Sequence, residues 1–259
     1  MQKKPTLTVS VLTKNETHQI HRCLQSASFA DEILVIDNGS VDDTVEHARA
    51  MGAKVYLYPE WKGFAVQRNY QLQHATSDYL MLLDSDEEIT PQLKDEILQL
   101  MASGSDKLHG FSALEVAYGT PLKHMRARTL PNRFFKRSLV QSFAGIVHEH
   151  PVTREPCEKA VFHNKLIHYS RTSVYGSLRK LAQYAMLGAS KRKDDPQRAG
   201  VLRGLGSALA SFLNNYFFRL GFTGGGAGFL FCLFVALEGF FRYAALEYDK
   251  DQLDQIVQR

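Results

Sequence analysis

Two carboxylates one residue apart, Asp84 and Asp86 in LLDSDEE (82–88), are the residues whose type and spacing most directly imply chemistry. Set after an apolar run, they converge on one small region, where one binds a divalent cation and the other accepts a hydrogen bond from a hydroxyl. Hard cations such as Mg²⁺ take oxygen ligands, commonly one or two carboxylates completed by substrate phosphates. Asp37 closes a second apolar run, EILVID (32–37). The plain alternative for all three is a turn residue after a strand. His148, His150 and His168 raise the question of zinc, but no cysteine accompanies them, and His-Glu-His is not the i, i+4 helical pair of zinc proteases. Lys123, Arg126, Arg128, Arg133, Lys136 and Arg137 follow one another with no acidic residue between them. Guanidinium forks suit phosphate, so Arg126, Arg128 and Arg133 are expected on a basic loop that meets a phosphorylated acceptor. A solvated linker is the alternative.

Such residues need elements to hold them. LTVSVLT (7–13), EILVID (32–37), KVYLY (54–58) and YLMLLD (79–84) read as short strands, each followed by a helical pattern. Asn15 is placed to cap the first helix. Ser40 and Asp43 have capping-box spacing ahead of a helix over 42–51, with Asp in place of Glu. Phe64 to His74 is a third helix. Thr90 and Pro91 sit as N-cap and first residue of a helix through Met101. This alternation predicts an α/β fold with a mostly parallel central sheet flanked by helices, in which ligands bind outside the carboxyl ends of the strands. GFSALEVAY (110–118), RFFKR (133–137) and LIHYS (166–170) are further strand candidates, with a Pro- and Arg-containing loop between the first two. From Ser173 the pattern turns helical over 173–193, 197–219 and about 227–247, with a short polar helix at the end. The expected division is 1–170 as the α/β domain (about 1–110 and about 111–170 as its two parts) and 171–259 as a helical C-terminal appendage.

The 259 residues, 44% hydrophobic and 22% charged, exclude a disordered tail, a collagen-like repeat and a disulfide-knotted mini-protein. Cys23, Cys157 and Cys232 are widely spaced and odd in number, which argues against structural zinc and disulfides and for a reducing, cytoplasmic setting. The N-terminal apolar run is too short for a signal peptide. Charge is uneven: residues 31–110 carry 15 acidic and 6 basic side chains, residues 120–220 carry 18 basic and 5 acidic. No nucleic-acid module accompanies the basic half, so nucleic acid is not an expected partner. LGFTGGGAGFLFCLFVAL (220–237) has no charge, and eighteen residues are close to the minimum for a membrane span. Its GGG cluster and flanking Arg and Glu residues favour attachment at a membrane surface, ahead of a homo-oligomer interface and a true span.

VSVLTKNE (9–16), VIDNGSVDDT (35–44), GFAVQRN (63–69) and LLDSDEE (82–88) together resemble the family 2 glycosyltransferases, and RFFKR (133–137), GIVHEHP (145–151) and LIHYS (166–170) extend the likeness to enzymes that glucosylate the inner-core heptose of lipopolysaccharide. The resemblance implies the GT-A nucleotide-diphospho-sugar transferase fold and inverting, metal-assisted direct displacement from a UDP-sugar, glucose foremost. It places Asp37 on the uracil base with Asn15 and Glu16 nearby, Arg68 by the nucleotide diphosphate, Asp84 on the ribose, and Asp86 on Mg²⁺ or Mn²⁺. His168 would meet diphosphate or metal; its alternative is a core imidazole, as a surface salt bridge is for Arg68. Glu149 would be the base that deprotonates the acceptor, with Glu87 and Glu88 as rivals. The first motif departs from the family, with Thr13-Lys14 where proline and tyrosine usually precede Asn-Glu. Competing readings are a same-fold transferase for another lipid-linked or protein acceptor, a nucleotidyltransferase, which would usually carry a Gly-rich phosphate loop that TKNETHQ lacks, and an inactive scaffold.

Overall fold

A computed structural model describes residues 4–145, 149–193, 199–250 and Leu253. The apolar runs near the amino terminus fold as strands buried on both faces, β1 (Leu7–Thr13), β2 (Glu32–Asp37) and β4 (Tyr79–Asp84), with the more exposed β3 (Lys54–Leu57) at the edge. They lie in the order β3-β2-β1-β4, all parallel. Parallel neighbours require a crossover connection, here supplied by α1 (Thr17–Ser26), α2 (Thr44–Ala50) and α3 (Phe64–His74). Side chains alternate between faces. Leu7, Val9 and Val11 therefore join the core cluster with Ile20, Cys23 and Leu24 of α1, while Leu12, Leu34 and Ile36 meet Tyr58, Phe64 and Tyr70 on the other face. Tyr58 stacks on Tyr70 at 3.6 Å and Tyr56 on His74 at 3.7 Å, which seats α3 on the edge strand. Fully burying each such aliphatic side chain contributes about 1.5–3 kcal/mol.

Beyond β4 the sheet changes character. β8 (Arg128–Lys136) runs antiparallel to β4, and β6 (Leu108–Ala117) antiparallel to β8; β11 (Lys159–Arg171) and the two-residue β5 (Glu87–Glu88) follow. The parallel arrangement expected from the sequence thus holds for the first four strands and gives way to antiparallel pairing where helices no longer separate the strands. Part of the expected Pro- and Arg-containing loop is itself strand β8. β9 (Val140–Ala144) and β10 (His150–Thr153) form a separate antiparallel pair that the sequence reading did not anticipate.

Two expected caps are replaced by other bonds. Asn15 does not cap α1. It takes φ +55°, and its Oδ1 accepts the Val41 N–H at 2.8 Å, while Glu16 occupies the N-cap position and its side chain accepts from Gln19 Nε2 at 3.0 Å rather than capping the helix. The Ser40–Asp43 box is also absent, because the Ser40 hydroxyl donates to Asp37 and Asp42 Oδ1 accepts the Thr44 N–H at 3.2 Å. α4 (Pro91–Ala102) starts as expected, with Thr90 Oγ1 accepting the Leu93 N–H at 3.2 Å and Pro91 in the first turn.

At the amino ends of the strands, Glu32 binds several elements together. Its Oε2 accepts from Thr8 Oγ1 at 2.6 Å and from the Thr76 N–H and hydroxyl at 3.0 Å, and its Oε1 meets Lys54 Nζ at 2.8 Å. β3, β2, β1 and the lead into β4 are therefore tied through one carboxylate. Burial opposes its charge, but these bonds hold its pKa down at about 2.

The chain divides into two compact units, Met1–Ala113 with Arg128–His168, and Leu114–Ala127 with Tyr169–Arg259. The second contains α5 (Val174–Ser190), α6 (Val201–Leu213), a π-helical turn Asn214–Phe218, a 3-10 turn Gly221–Gly224 and α7 (Gly225–Tyr248). In it β7 (Thr120–Pro121) pairs with Val116 and Ala117. Arg126 and Arg219 bond reciprocally, N–H to carbonyl at 2.9 Å and guanidinium to carbonyl at 2.8 Å. The expected polar helix at the end lies outside the described residues, Leu253 apart.

Candidate active site

Strand direction decides where the acidic residues go. β1, β2 and β4 are parallel, so their carboxyl ends fall on one edge, and Asp37 and Asp84 are the last residues of β2 and β4. The tight turn after β4 then carries Asp86 and leads into Glu87 at the start of β5.

Asp84 is held from two sides. Arg68 Nη2 lies 3.0 Å from its Oδ1 and Arg133 Nη2 2.9 Å from its Oδ2. Arg68 reaches it from α3, where its side chain is only 2% exposed and also donates to Gln71 Oε1 at 2.9 Å. Gln71, one turn further along, anchors this arm by donating to the Ser10 carbonyl at 2.9 Å. Arg68 is thus a buried, tethered cation, which removes its surface salt-bridge alternative. Its Nε lies 3.6 Å from Glu149 Oε1. Arg133 corrects the sequence reading. It sits on β8 beside Phe134, which pairs with Met81 of β4, and this places its guanidinium against Asp84, with Nη1 3.6 Å from Glu87 Oε2. An antiparallel strand beside β4, rather than a loop, delivers it.

The electrostatics follow from that geometry. Burial disfavours the Asp84 carboxylate, but the charges and hydrogen bonds of Arg133 and Arg68 hold its pKa well below the usual range. Glu87, which accepts the Asp84 N–H at 2.8 Å, is pushed up to about 7 by burial and then by the Asp84 charge. Burial works against the Arg133 charge, but Asp84 and Glu87 beside it keep it firmly protonated. Cys23 donates its S–H to the Asp84 carbonyl at 3.5 Å, and burial with the nearby carboxylates pushes its thiol well up. It is an inert buried thiol.

Asp86 Oδ2 lies 3.5 Å from His168 Nε2, both side chains partly exposed. β5 pairs with β11 with Glu87 opposite His168, so the backbone register brings the imidazole to the acidic turn. His168 is therefore not a core imidazole. A carboxylate and an imidazole facing each other are a donor pair that fits a divalent cation whose remaining positions diphosphate and water complete. Among the described residues, no group of three or more His, Cys, Asp or Glu forms a complete metal cage.

Asp37, Asn15 and Glu16 mark a neighbouring subsite. Asp37 Oδ1 accepts the N–H groups of Gly39 and Ser40 at 2.9 Å, and Ser40 Oγ accepts the Asn15 N–H at 2.8 Å. The Glu16 N–H donates to Thr44 Oγ1 at 2.8 Å. These bonds shape the wall of an open cleft of about 410 Å³ lined by Asp37, Ser40, Asp42, Arg49, Leu57 and Pro59. Of the other expected residues, Arg128 is exposed at the start of β8, Arg126 belongs to the second unit, Glu88 lies 3.7 Å from Arg22, and His148 lies outside the described residues. The sequence reading missed Gln71 and the Arg133 partnership. Gln71 had a signal, its i+3 spacing from Arg68 on a helix; Arg133 had none, since 49 residues separate it from Asp84.

Comparisons with known proteins give the family. The family model "Glycosyl transferase family 2" matches residues 8–154, more than half of the chain. An uncharacterized glycosyltransferase of Rickettsia typhi is 28% identical over 254 residues, covering 91% of this chain and 85% of its own. A lipopolysaccharide core biosynthesis glycosyltransferase of Rhizobium meliloti, LpsC, is 22% identical over 230 residues and 84% of each chain. Among solved structures, glucosyl-3-phosphoglycerate synthase of Mycobacterium tuberculosis, in complex with Mn²⁺, UDP and glucosyl-3-phosphoglycerate, aligns at a TM-score of 0.46 and 17% identity, over 69% of this chain and 75% of that one. With the family match running from β1 into the β9–β10 pair and taking in Asp37, Arg68, Asp84, Asp86 and Glu149, the protein belongs to the family 2 glycosyltransferases and has their GT-A fold.

Proposed function

We propose that the protein transfers glucose from UDP-glucose to a heptose of the lipopolysaccharide inner core, with inversion at the anomeric carbon, at the cytoplasmic face of the inner membrane. The observation that carries this reading is the convergence of Asp84, Asp86, His168, Arg68, Arg133 and Glu149 at the carboxyl edge of the sheet. The Rhizobium meliloti relative supports the choice of acceptor class.

In this mechanism the cleft beside Asp37 receives the uracil, and Asp84, fixed by two guanidiniums, accepts a ribose hydroxyl. Asp86 and His168 would hold Mg²⁺ or Mn²⁺, which when bound neutralises charge on the departing diphosphate. Arg68, buried and tethered through Gln71, adds a fixed positive charge at no cost of reorganisation. Glu149 takes the proton of the acceptor hydroxyl. That oxygen forms its bond to the anomeric carbon as the carbon–oxygen bond to the diphosphate breaks, the electron pair leaving with UDP. General-base assistance of this kind is typically worth about 10²–10⁴ in rate.

The test is the melting temperature of the protein against UDP, GDP, ADP and CMP, each with and without Mn²⁺, followed by turnover of UDP-glucose on heptose-terminated core acceptors. A ligand at about 100 times its dissociation constant adds roughly 2.7 kcal/mol. Stabilisation by UDP that needs Mn²⁺ and vanishes in Asp86→Ala is expected. Equal shifts with all four nucleotides, or UDP binding without transfer to any heptose acceptor, would refute the donor or the acceptor assignment respectively.

A further inference from the structure

The helical unit contains a helix whose polarity is inverted for a protein surrounded by water. α6 and the π-helical turn after it run from Val201 to Phe218. The side packed against α7 is mostly small or polar, with two rings, Phe212 and Tyr216, closing on Phe229 of α7. Gly204 and Asn215 are buried, and a Cβ built on Gly204 would lie 2.9 Å from the Phe240 carbonyl, as one on Gly239 would lie 3.2 Å from Ser207 Oγ. The outward side is large and apolar: Leu202 is 85% exposed, Leu209 61% and Phe218 68%, with Leu205, Leu213 and Phe217 completing the stripe. A helix on a water-soluble core shows the reverse pattern. Small residues at the helix–helix contact with leucines outward are the arrangement used where the surroundings are hydrocarbon.

Charge identifies what covers this face. Residues 169–237 contain nine Lys and Arg against two acidic residues, Asp194 and Asp195. Between residues 204 and 237 the one charged side chain is Arg219, and its guanidinium turns inward to Asn215 Oδ1 at 2.9 Å and to the Arg126 carbonyl. Exposed Arg203 lies in the first turn of α6 and exposed Lys191 follows α5, whose Ala189 clusters with Ala199 just ahead of α6, while Lys123 and Arg126 belong to the segment bonded at Arg219, near the other end. We infer that the α6 face docks in the plane of an anionic lipid bilayer, its leucines and phenylalanines at the acyl boundary and its basic ends among the headgroups. A second copy is a poorer occupant, because with both ends basic a face-to-face pair sets positive charge against positive charge. Gly221–Tyr248, α7 with the turn before it, is long and apolar enough to cross a membrane by length and composition, yet Gly228, Phe231, Cys232, Phe234, Ala236 and Gly239 are already buried within the protein.

This deepens the membrane-surface part of the proposed function. Vesicle binding needs neither donor nor acceptor, so its failure leaves the transfer chemistry standing, and the reverse. The experiment is flotation of the full chain with phosphatidylcholine vesicles and with vesicles in which about a third of the lipid is phosphatidylglycerol. The wild type is expected to float with the anionic vesicles, weakly with the neutral ones, and to be released by alkaline carbonate. Leu205→Gln with Leu209→Gln lowers binding at least about tenfold while keeping helical circular dichroism. Lys191→Glu with Arg203→Glu leaves the apolar face intact and abolishes the preference for anionic lipid. The inference fails if the leucine variant floats like wild type. It fails if carbonate leaves the protein inserted. It also fails if the wild type ignores both vesicles and forms a dimer that the leucine substitutions dissociate.

Discussion

Replacing Glu32 by Gln tests how much of the parallel half of the sheet depends on one negative charge. The substitution keeps the shape and leaves an amide oxygen in the place of Oε2 to accept from Thr8 and Thr76, so it removes chiefly the charge and the bond from Lys54 to Oε1. The folded-state pKa is about 2 against 4.5 for the free side chain. At about 1.36 kcal/mol per unit, that difference sets a ceiling near 3.4 kcal/mol. Lys54 is 61% exposed, so solvent screens its share, and about 2 kcal/mol is the expected loss at pH 7. Because the folded pKa is depressed, the stabilisation is complete above pH 4.5 and is lost as pH falls from there toward 2. Urea unfolding of wild type and Glu32→Gln at a series of pH values reads the difference directly, since other titrating groups cancel. A gap that is wide at pH 7 and closes steadily below pH 4.5 is expected. A gap that does not vary with pH would show that hydrogen-bond geometry, not charge, ties the strands. A gap below about 0.5 kcal/mol would show that water already shares the site.

Glu149→Gln should retain UDP-dependent stabilisation while turnover falls by about 10²–10⁴, and substantial residual activity in a transfer assay would move the base to another residue. Arg133→Met should cost about 3 kcal/mol in urea unfolding, because it leaves Asp84 and Glu87 facing each other with less compensation. Arg133→Lys should recover only part of that, since an ammonium cannot fork between the two carboxylates; a loss under about 1 kcal/mol for the Met variant would mean that Arg68 alone suffices. Gly110→Ala places a Cβ 2.7 Å from the Leu130 carbonyl where β6 and β8 shift register, and should cost about 1–3 kcal/mol. An unchanged melting temperature there would show that β8 can move aside.

The parallel half of the fold was readable because each strand is a short apolar run closed by a turn or cap and followed by a helical period. The same runs fixed the positions of Asp37 and Asp84, since both end a strand. The antiparallel half was harder to read. β8 contains Pro131, and Asn132 at φ +56°, which interrupt its alternation and make a strand resemble a loop. β10 also contains a proline, Pro151, and β9 and β10 are too short to show a period. Arg133 and Arg126 look equivalent in a basic run, yet one faces Asp84 and the other bonds the Arg219 backbone. Such partners depend on strand pairing over long sequence separations, which local pattern does not encode. α6 was legible as a helix, but its apolar period does not say which side faces the protein.

The carboxylate that ties the strand starts also bears on how this enzyme can change. Glu32 and Asp37 are the first and last residues of β2, roughly 17 Å apart at about 3.3 Å per residue. That is about two screening lengths at physiological salt, and substitutions so far apart with no shared partner combine additively. The reserve that keeps the strands in register therefore sits at one rim of the sheet, and the candidate site residues at the opposite rim. Asp86 and Glu149 can be replaced without drawing on that reserve, and stability can be raised around Glu32 without disturbing the candidate site.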